Sequence, residues 1–427
     1  MDFTALHRLL GLPPSPVTNE LVDEAVSQRL AETHDLDWKS KLPPAKDIGK
    51  TDFPKDIAAM ANAGGGTIVY GVNESNKEAT SRCDVGALTE PYERALRSIA
   101  VSGIRPPVFN LGIHKLGDEG NRCVVVVVPP SVDGPHLIYR DDYFGAPIRN
   151  DADTVWMKEQ QLESMYRARF DQRRHADEAL ANLYDEIGFG RDTDKRAWLI
   201  AVAHPRLPAL QRGRLSREEA GDLFSLIGNT CPNYTDPRHA VHPLEATALS
   251  NPRPGLRRWI APFASRHPDN SWRASDATIH YDGSVTLATG IGGHRARTTG
   301  TWNPGGLIDS TAIESAVVDL ACMAHAVGNY VGCAQYEVRI GIEWSGPGQI
   351  LIQTVDGLGR PFKDNSILLP RYVPVSITLD VNVDDDSFFD QITELAQDCV
   401  NQGGITNLHA LRKPSENNPP VYFQTVI

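Results

Sequence analysis

Two carboxylates and one amine lie close together near the start of the chain, and these residue types can carry phosphodiester chemistry. They are Glu32, Asp37 and Lys39. Residues 35–41 alternate apolar and polar side chains, which predicts a half-buried strand with Asp37 and Lys39 on the same face. Carboxylates can hold Mg²⁺ or Mn²⁺ and an ammonium can stabilise a phosphate oxyanion, as in metal-dependent nucleases. The same pattern is also typical of a solvated strand face, so both interpretations stay open.

A glycine-rich tract at residues 56–74 reads DIAAMANAGGGTIVYGVNE. A phosphate-binding loop requires the order strand, glycine loop, helix, so that the helix N-terminus faces the anion. Here the pattern predicts a helix that starts near Pro54 and ends at the glycines at 64–66, followed by a strand. This order excludes nucleotide binding by the loop. The sequence also contains no Walker lysine motif, which argues against an ATPase. The strand places Asn73 and Glu74 at its far end.

Cationic side chains farther along the chain are candidates for phosphate contacts. Arg140 and Arg149 flank a Gly-Ala-Pro sequence, and Arg167 and Arg169 lie in a helix predicted from residue 153 or 154 to about 170. Guanidinium groups bind phosphate oxygens well, so these four arginines are predicted to contact a nucleic-acid backbone. An exposed basic helix end that complements the helix dipole explains Arg167 and Arg169 as an alternative.

The overall composition limits the kind of nucleic-acid contact. The chain has 427 residues, with 42 Lys and Arg against 54 Asp and Glu and a formal net charge of −12. This balance argues against coating nucleic acid by bulk charge, so any contact requires a local basic face. Six scattered cysteines without a CxxC pair argue against a zinc site or a disulfide framework. The sequence has no run of about 20 apolar residues and no signal-peptide pattern, which predicts a cytoplasmic protein with no membrane partner.

The length predicts two or three domains. Residues 1–31 are predicted to form two short amphipathic helices, and residues 32–175 an α+β domain with a mixed sheet. Within it, residues 124–128 are apolar at every position, as in a strand covered on both faces. Residues 176–276 are rich in Pro and Arg and are predicted to be an irregular connecting region. Residues 277–427 alternate strand and helix patterns again and are predicted to form a second α+β domain.

Three aspartates at 384–386 precede the last predicted helix, which covers about residues 387–401. Such a cluster resembles a metal site. Acidic residues at a helix N-terminus are more commonly capping groups that complement the helix dipole, and we interpret them in that way.

Several of these motifs, in this order, resemble the Schlafen-type AlbA-like domain family. The matching pieces are Glu32-x4-Asp37-Trp38-Lys39, residues 57–66 (IAAMANAGGG), Tyr70-Gly71-Val72, Val128-Pro129-Pro130-Ser131, Pro135-His136, Ile148-Arg149 and Thr154-x2-Met157. The resemblance covers about residues 28–170. It implies an AlbA-like α+β fold, nucleic-acid binding and, in Schlafens, metal-dependent endoribonuclease activity on tRNA-like RNA. The C-terminal half resembles no family that we can identify.

The family's acidic triad consists of two carboxylates five residues apart and a third just after the Gly-Val strand. Glu32 and Asp37 match the first two positions. At the third position this chain has Asn73, followed by Glu74. An Asn ligand brings no charge, which predicts weaker metal binding. The resemblance therefore implies metal ligands at Glu32, Asp37, Asn73 and Glu74, and catalytic residues at Glu32, Asp37, Lys39 and Glu74.

Two functions are predicted. The first is a Mg²⁺- or Mn²⁺-dependent endoribonuclease acting on tRNA or structured RNA, with Lys39 at the scissile phosphate and Arg149 on the backbone. The family implies a role in phage defence or stress response for it. The second is a non-catalytic DNA- or RNA-binding regulator whose C-terminal domain senses a ligand or a protein partner. A homo-oligomer is one alternative for the oligomeric state.

Overall fold

The computed structural model describes residues 3–140, 143–207, 214–264, 274–294, 300–355, 361–362 and 366–414, and for Arg140, Val355 and Pro361 it describes only the backbone. The chain divides into two compact units, residues 1–173 and residues 174–427. Both units combine helices with sheets, so the predicted α+β class is confirmed.

The first unit contains a mixed sheet, covering helices and several hairpins. Its helices are α1 (Ala5–Leu10), α2 (Asn19–Ser27), α3 (Phe53–Asn62), α4 (Glu90–Ser102) and the start of α5 (Glu159–Gly188). Its strands are β1 (Leu36–Lys39), β2 (Gly66–Tyr70), β3 (Val72–Ser75), β4 (Glu78–Arg82), β5 (Ile104–Arg105), β6 (Gly112–Leu116), β7 (Cys123–Val128), β8 (Leu137–Arg140), β9 (Tyr143–Gly145), β10 (Pro147–Asn150) and β11 (Asp153–Trp156).

The sheet of the first unit has the order β1-β2-β7-β6, with β1 parallel to β2 and the other pairs antiparallel. Ile68 of β2 faces a core shared with α3 and α4, whereas Val69 faces a core shared with α1 and α2. Because successive strand residues point to opposite faces, both faces of the sheet are covered. The helices predicted at residues 1–31 are therefore part of this unit and complete its core.

The glycine stop after α3 is confirmed. The helix ends at Asn62, and β2 begins at Gly66. At Gly65 the backbone has φ of +96°, and a Cβ there would lie 2.8 Å from the carbonyl oxygen of Val128. Only glycine fits this conformation and this close approach to β7.

The helix predicted to start at residue 153 or 154 is wrong at its N-terminal end. Asp153–Trp156 forms β11, which pairs antiparallel with β10 so that Arg149 lies opposite Thr154. The helix begins only at Glu159 and continues to Gly188. The Thr-Val-Trp sequence consists of β-branched and aromatic residues, which favour a strand over a helix start.

The second unit is built on a larger sheet with helices α6 (Arg217–Thr230), α7 (Ser310–Val331) and α8 (Asp385–Asn401). Its strands are β12 (Trp198–Pro205), β13 (Arg253–Gly255), β14 (Arg258–Ala261), β15 (Ser275–His280), β16 (Val285–Gly290), β17 (Leu307–Asp309), β18 (Gln335–Glu343), β19 (Ile350–Val355), β20 (Pro361–Phe362), β21 (Leu368–Leu369) and β22 (Val375–Asp380).

A seven-stranded antiparallel sheet of order β13-β14-β15-β16-β12-β18-β22 organises the second unit. One face packs against α6, α7 and α8. The other face packs against Leu180, Tyr184 and Ile187 of α5. The structure thus differs from the predicted division, because β12 lies inside this sheet although the segment 176–276 was expected to be an irregular connector. The apolar run Trp198–Ala203 is buried there between two strands.

Helix α7 is the central helix of the second unit. Among the described residues it is the one helix long and apolar enough by composition to cross a membrane, but 83% of its most apolar window is buried inside the protein. Two buried carboxylates on α7 fix irregular segments: Asp319 lies 2.7 Å from Nδ1 of His242 and accepts the N–H of Leu244, and Glu314 accepts the N–H of Ala410. The composition of α7 is therefore explained by packing within the unit.

The start of α8 agrees with the capping interpretation. Asp384 is the N-cap residue, and its Oδ1 accepts a hydrogen bond from the N–H of Ser387 at 3.0 Å. Asp385 and Asp386 follow in the first turn, where negative charge complements the helix dipole.

Candidate functional site

A buried carboxylate with two cationic partners forms the centre of the candidate site in the first unit. Oδ1 of Asp37 lies 3.1 Å from Nη1 of Arg149, and Oδ2 lies 2.5 Å from Nζ of Lys39. The side chains of Asp37 and Arg149 are 3% and 4% exposed, whereas that of Lys39 is 37% exposed. The predicted strand β1 therefore does place Asp37 and Lys39 together, but on a face that the protein covers.

The position of Arg149 depends on a buried amide at the end of α3. The side-chain amide of Asn62 donates hydrogen bonds to the carbonyl oxygens of His136 and Pro147, at 2.9 and 2.8 Å, and its Oδ1 accepts the N–H of His136. These bonds attach the first residue of β10 to α3. Arg149, two residues later, then points towards β1 and reaches Asp37.

Arg149 is committed to the fold rather than available to a phosphate. Besides Asp37, its guanidinium donates to the carbonyl oxygen of Thr33 at 3.2 Å and to the hydroxyl of Thr154 at 3.4 Å. A guanidinium with these partners and almost no exposed surface holds the site together. The prediction that Arg149 contacts the nucleic-acid backbone directly therefore does not agree with its burial.

Further carboxylates surround Lys39. Asp56, in the first turn of α3, lies 4.0 Å from Nζ of Lys39. Burial raises the pKa of Asp56 to about 6, the charge of Asp37 adds to this rise, and Lys39 opposes it. Burial alone would lower the pKa of Lys39, but Asp37 and Asp56 raise it above its usual value. Lys39 is therefore cationic, and Asp56 belongs to the site although it was not predicted as a site residue from the sequence.

Glu32 lies at the edge of this cluster. Its Oε1 accepts the backbone N–H of Trp38 at 2.9 Å. Burial, and after it the negative charges of Asp37 and Glu74, raise the pKa of Glu32 to about 7 despite that hydrogen bond. Glu32 is therefore partly protonated near neutral pH, and it senses both of the other acidic residues that were predicted as metal ligands.

The third position of the predicted acidic triad, Asn73 and Glu74, lies in the hairpin formed by β3 and β4. The side-chain amide of Asn73 in β3 donates to the hydroxyl of Ser81 in β4 at 3.1 Å. The β3–β4 register shifts between Asn73 and Glu74, and Glu74 is exposed. Asn73 and Glu74 therefore have different surroundings. Asn73 carries no charge, whereas the charge of Glu74 raises the pKa of Glu32.

The predicted ligands do not fit a hard divalent cation in this arrangement. Among the described residues, no group of three or more His, Cys, Asp or Glu side chains is placed to hold a metal ion. Both oxygens of Asp37 already contact cationic groups, and Mg²⁺ or Mn²⁺ requires free, deprotonated oxygen ligands. The metal requirement stays a prediction. In the structure, Asp37, Lys39 and Arg149 form an ion-pair network.

The other predicted cations are not gathered around this network. Arg167 is exposed on α5 and pairs with Glu163 one turn earlier, at 2.5 Å. Arg169 is half-buried, and its charge acts on His136, whose pKa is lowered mainly by burial. The side chain of Arg140 lies outside the described residues. Neither Arg167 nor Arg169 touches Asp37 in the hydrogen bonds and ion pairs described for them.

Sequence reasoning missed an exposed groove beside the network. We call it the aromatic groove; its lining residues are Asp52, Lys55, Ile138, Tyr143, Phe144, Gly145, Thr154 and Trp156. Thr154 joins it to the ion-pair network, because its hydroxyl accepts from Arg149. The available signal was the Thr-Val-Trp strand pattern of β11, which we interpreted as a helix start. The candidate site therefore has a charged part and an aromatic part.

We expect Glu32→Gln to stabilise the protein in a pH-dependent way. The folded pKa of about 7 exceeds the ordinary value of 4.5, so the stability from this group is present at low pH and is lost as the pH rises through 7. Gln keeps the oxygen that accepts from Trp38 but cannot ionise. After allowance for solvent screening, the variant should exceed wild type by about 1 kcal/mol at pH 8 and much less at pH 5.

Urea unfolding of the full chain, followed by circular dichroism, measures this difference. Glu119→Gln at an exposed loop position is the matched control and should change stability little at either pH. An equal effect of Glu32→Gln at pH 5 and pH 8 would contradict the raised pKa.

Comparisons with known proteins identify a family match over the part of the chain that contains the candidate site. Residues 32–158 match the family model Schlafen, AlbA_2. The chain matches no curated protein in sequence. Among solved structures, it is similar to the DIP2311 protein from Corynebacterium diphtheriae, with 14% identity over 39% of this chain and 35% of that chain and a TM-score of 0.25. The match thus spans about a third of that protein's length.

A second similar structure is the N-terminal domain of a putative ATP-dependent DNA helicase RecG-related protein from Nitrosomonas europaea. The identity is 21%, over 34% of this chain and 96% of that chain, with a TM-score of 0.25. Residues 32–158 therefore match the Schlafen, AlbA_2 family model, and the rest of the chain matches no family model.

Proposed function

We propose that the first unit is a nucleic-acid-binding module that does not depend on a metal ion. The Schlafen AlbA_2 match supports a nucleic-acid partner in general. The observation that carries the non-catalytic part is the position of Asp37, whose two oxygens lie 3.1 Å from Arg149 and 2.5 Å from Lys39. A carboxylate neutralised by two cations is a poor ligand for a further cation.

The phosphate-binding surface in this proposal is a lysine-rich segment, residues 39–55, between β1 and the first turn of α3. It contains five lysines against two aspartates, in a chain whose overall charge is negative. Lys41, Lys46 and Lys50 are exposed. Such a local excess of positive charge is what an acidic protein needs in order to attract a polynucleotide backbone. The segment begins at the ion-pair network and ends at Lys55 in the aromatic groove.

A Mg²⁺- or Mn²⁺-dependent endoribonuclease acting on tRNA-like RNA is the second candidate. One observation favours it: the charges of Asp37 and Glu74 both raise the pKa of Glu32, so the three predicted acidic positions are electrostatic neighbours. In this candidate Asp37 would have to leave its cationic partners before it could bind a metal ion. The sensing of a ligand or a partner protein by the second unit stays a prediction.

Replacement of Lys46 and Lys50 by Ala should weaken RNA binding and flatten its salt dependence. Each lost phosphate contact lowers the slope of log K against log salt by roughly 0.7 to 0.9, so the double variant should lose between 1 and 2 in slope. Fluorescence anisotropy of a labelled RNA at several salt concentrations measures this. Lys115→Ala with Lys195→Ala removes the same charge elsewhere and should leave the slope unchanged. Equal slopes for the two double variants would contradict the assigned surface, and absence of binding by wild type would contradict the function.

Incubation with total tRNA and Mn²⁺ separates the two candidates. We expect wild type to shift the RNA on a native gel and to leave it intact on a denaturing gel, because Asp37 is engaged by Arg149 and Lys39. Asp37→Asn, with its fold checked by circular dichroism, is the comparison variant. Cleavage by wild type that needs Mn²⁺ and disappears in Asp37→Asn would establish the endoribonuclease and refute the metal-independent module.

A further inference from the structure

The aromatic groove exposes an unusual amount of ring surface. Tyr143 is 80% exposed, Phe144 60% and Trp156 54%. Exposed aromatic groups of this size normally serve recognition, because binding of a partner removes a large apolar area from water. Their function is not explained by the ion-pair network, which only adjoins the groove through Thr154.

These rings are held on paired strands rather than on a free loop. In the β8–β9 pair, Tyr139 lies opposite Phe144, with ring centroids 5.7 Å apart. In the β10–β11 pair, Trp156 lies opposite Pro147. The indole of Trp156 covers Gly145, where a Cβ would lie 2.6 Å from the ring. The glycine therefore makes room for the indole, and the ring is positioned before any partner arrives.

We propose that the aromatic groove is a base-stacking site for single-stranded nucleic acid. This inference rests on the proposed function of the first unit and names its ligand class. Flat aromatic rings stack on any base, and only unpaired bases expose the faces needed for this. A duplex offers its phosphates but not its base faces, so the groove selects single strands.

The rim of the groove favours a polynucleotide over an apolar protein surface. Lys55 lines the groove, and its Nζ lies 2.7 Å from Asp52. Thr154 adds a hydroxyl. The lysine-rich segment is continuous in sequence with Lys55, and Lys46 and Lys50 are exposed, so in this inference the segment supplies the phosphate contacts and the rings supply the base contacts. Rings beside a cationic path are the usual construction of single-strand binding sites.

The test compares the affinities of two single-stranded oligonucleotides for the full chain. The two have equal length, but one carries bases and the other is made of abasic units. Both have the same phosphates, so only stacking distinguishes them. Wild type should bind the oligonucleotide with bases about 5- to 150-fold more tightly for each stacked base. Tyr143→Ala and Trp156→Ala should each reduce this preference, and Trp156→Phe should retain part of it.

Phe109→Ala is the matched control, because Phe109 is 51% exposed and does not line the groove. It should keep the full preference. Equal binding of the two oligonucleotides by wild type would overturn the stacking site while leaving phosphate-driven binding intact. A preference for duplex would also overturn it, as would a Trp156→Ala variant that changes only the oligomeric state. Failure to bind either oligonucleotide would refute the proposed function itself.

Discussion

The contact between Asp37 and Arg149 joins two parts of the first unit that are 112 residues apart in sequence. Both side chains are almost fully buried, and a buried charge is tolerated only when an opposite charge and hydrogen bonds compensate for its lost hydration. Removal of Asp37 would take away the carboxylate that pairs with the buried guanidinium of Arg149, at a cost of about 3–5 kcal/mol, whereas removal of Arg149 would leave Asp37 paired with Lys39. The positions of β1, β10 and the hairpin that follows are therefore mutually dependent.

The same contact links architecture to chemistry. On one side, Asp37 also forms an ion pair with Lys39. The charge of Lys39 interacts in turn with those of Asp56 and Glu32, so the four residues form one electrostatic cluster. On the other side, Arg149 donates to Thr154 at the edge of the aromatic groove. A carboxylate used in this way serves as a structural anion. In the proposed function, the exposed lysines contact the backbone of a nucleic acid and the rings contact its bases.

The features that could be predicted from the sequence were local ones. The stop after α3 follows from three glycines, the doubly covered β7 from its unbroken apolar run, and the start of α8 from Asp384. Each depends on neighbours within a few residues. The family resemblance over about residues 28–170 likewise depended on short motifs in a fixed order, and the family model matches residues 32–158 of that range.

What could not be predicted depended on distant partners. Nothing near Arg149 in sequence indicates that Asp37 will neutralise it, so it resembled a surface phosphate ligand. Asp56 was not predicted as a site residue, because only the fold places it beside Lys39. The strand β12 was not predicted, because the segment around it is rich in Pro and Arg. Its apolar run finds a partner on each side only in the folded sheet, between β16 and β18.

The central claim is that Asp37 is an ion-pair partner and not a metal ligand. Titration of the full chain with Mn²⁺ in an isothermal calorimeter tests it most directly. We predict no saturable binding event in wild type and no difference between wild type and Asp37→Asn. A single site of one Mn²⁺ per chain that Asp37→Asn abolishes would contradict the account.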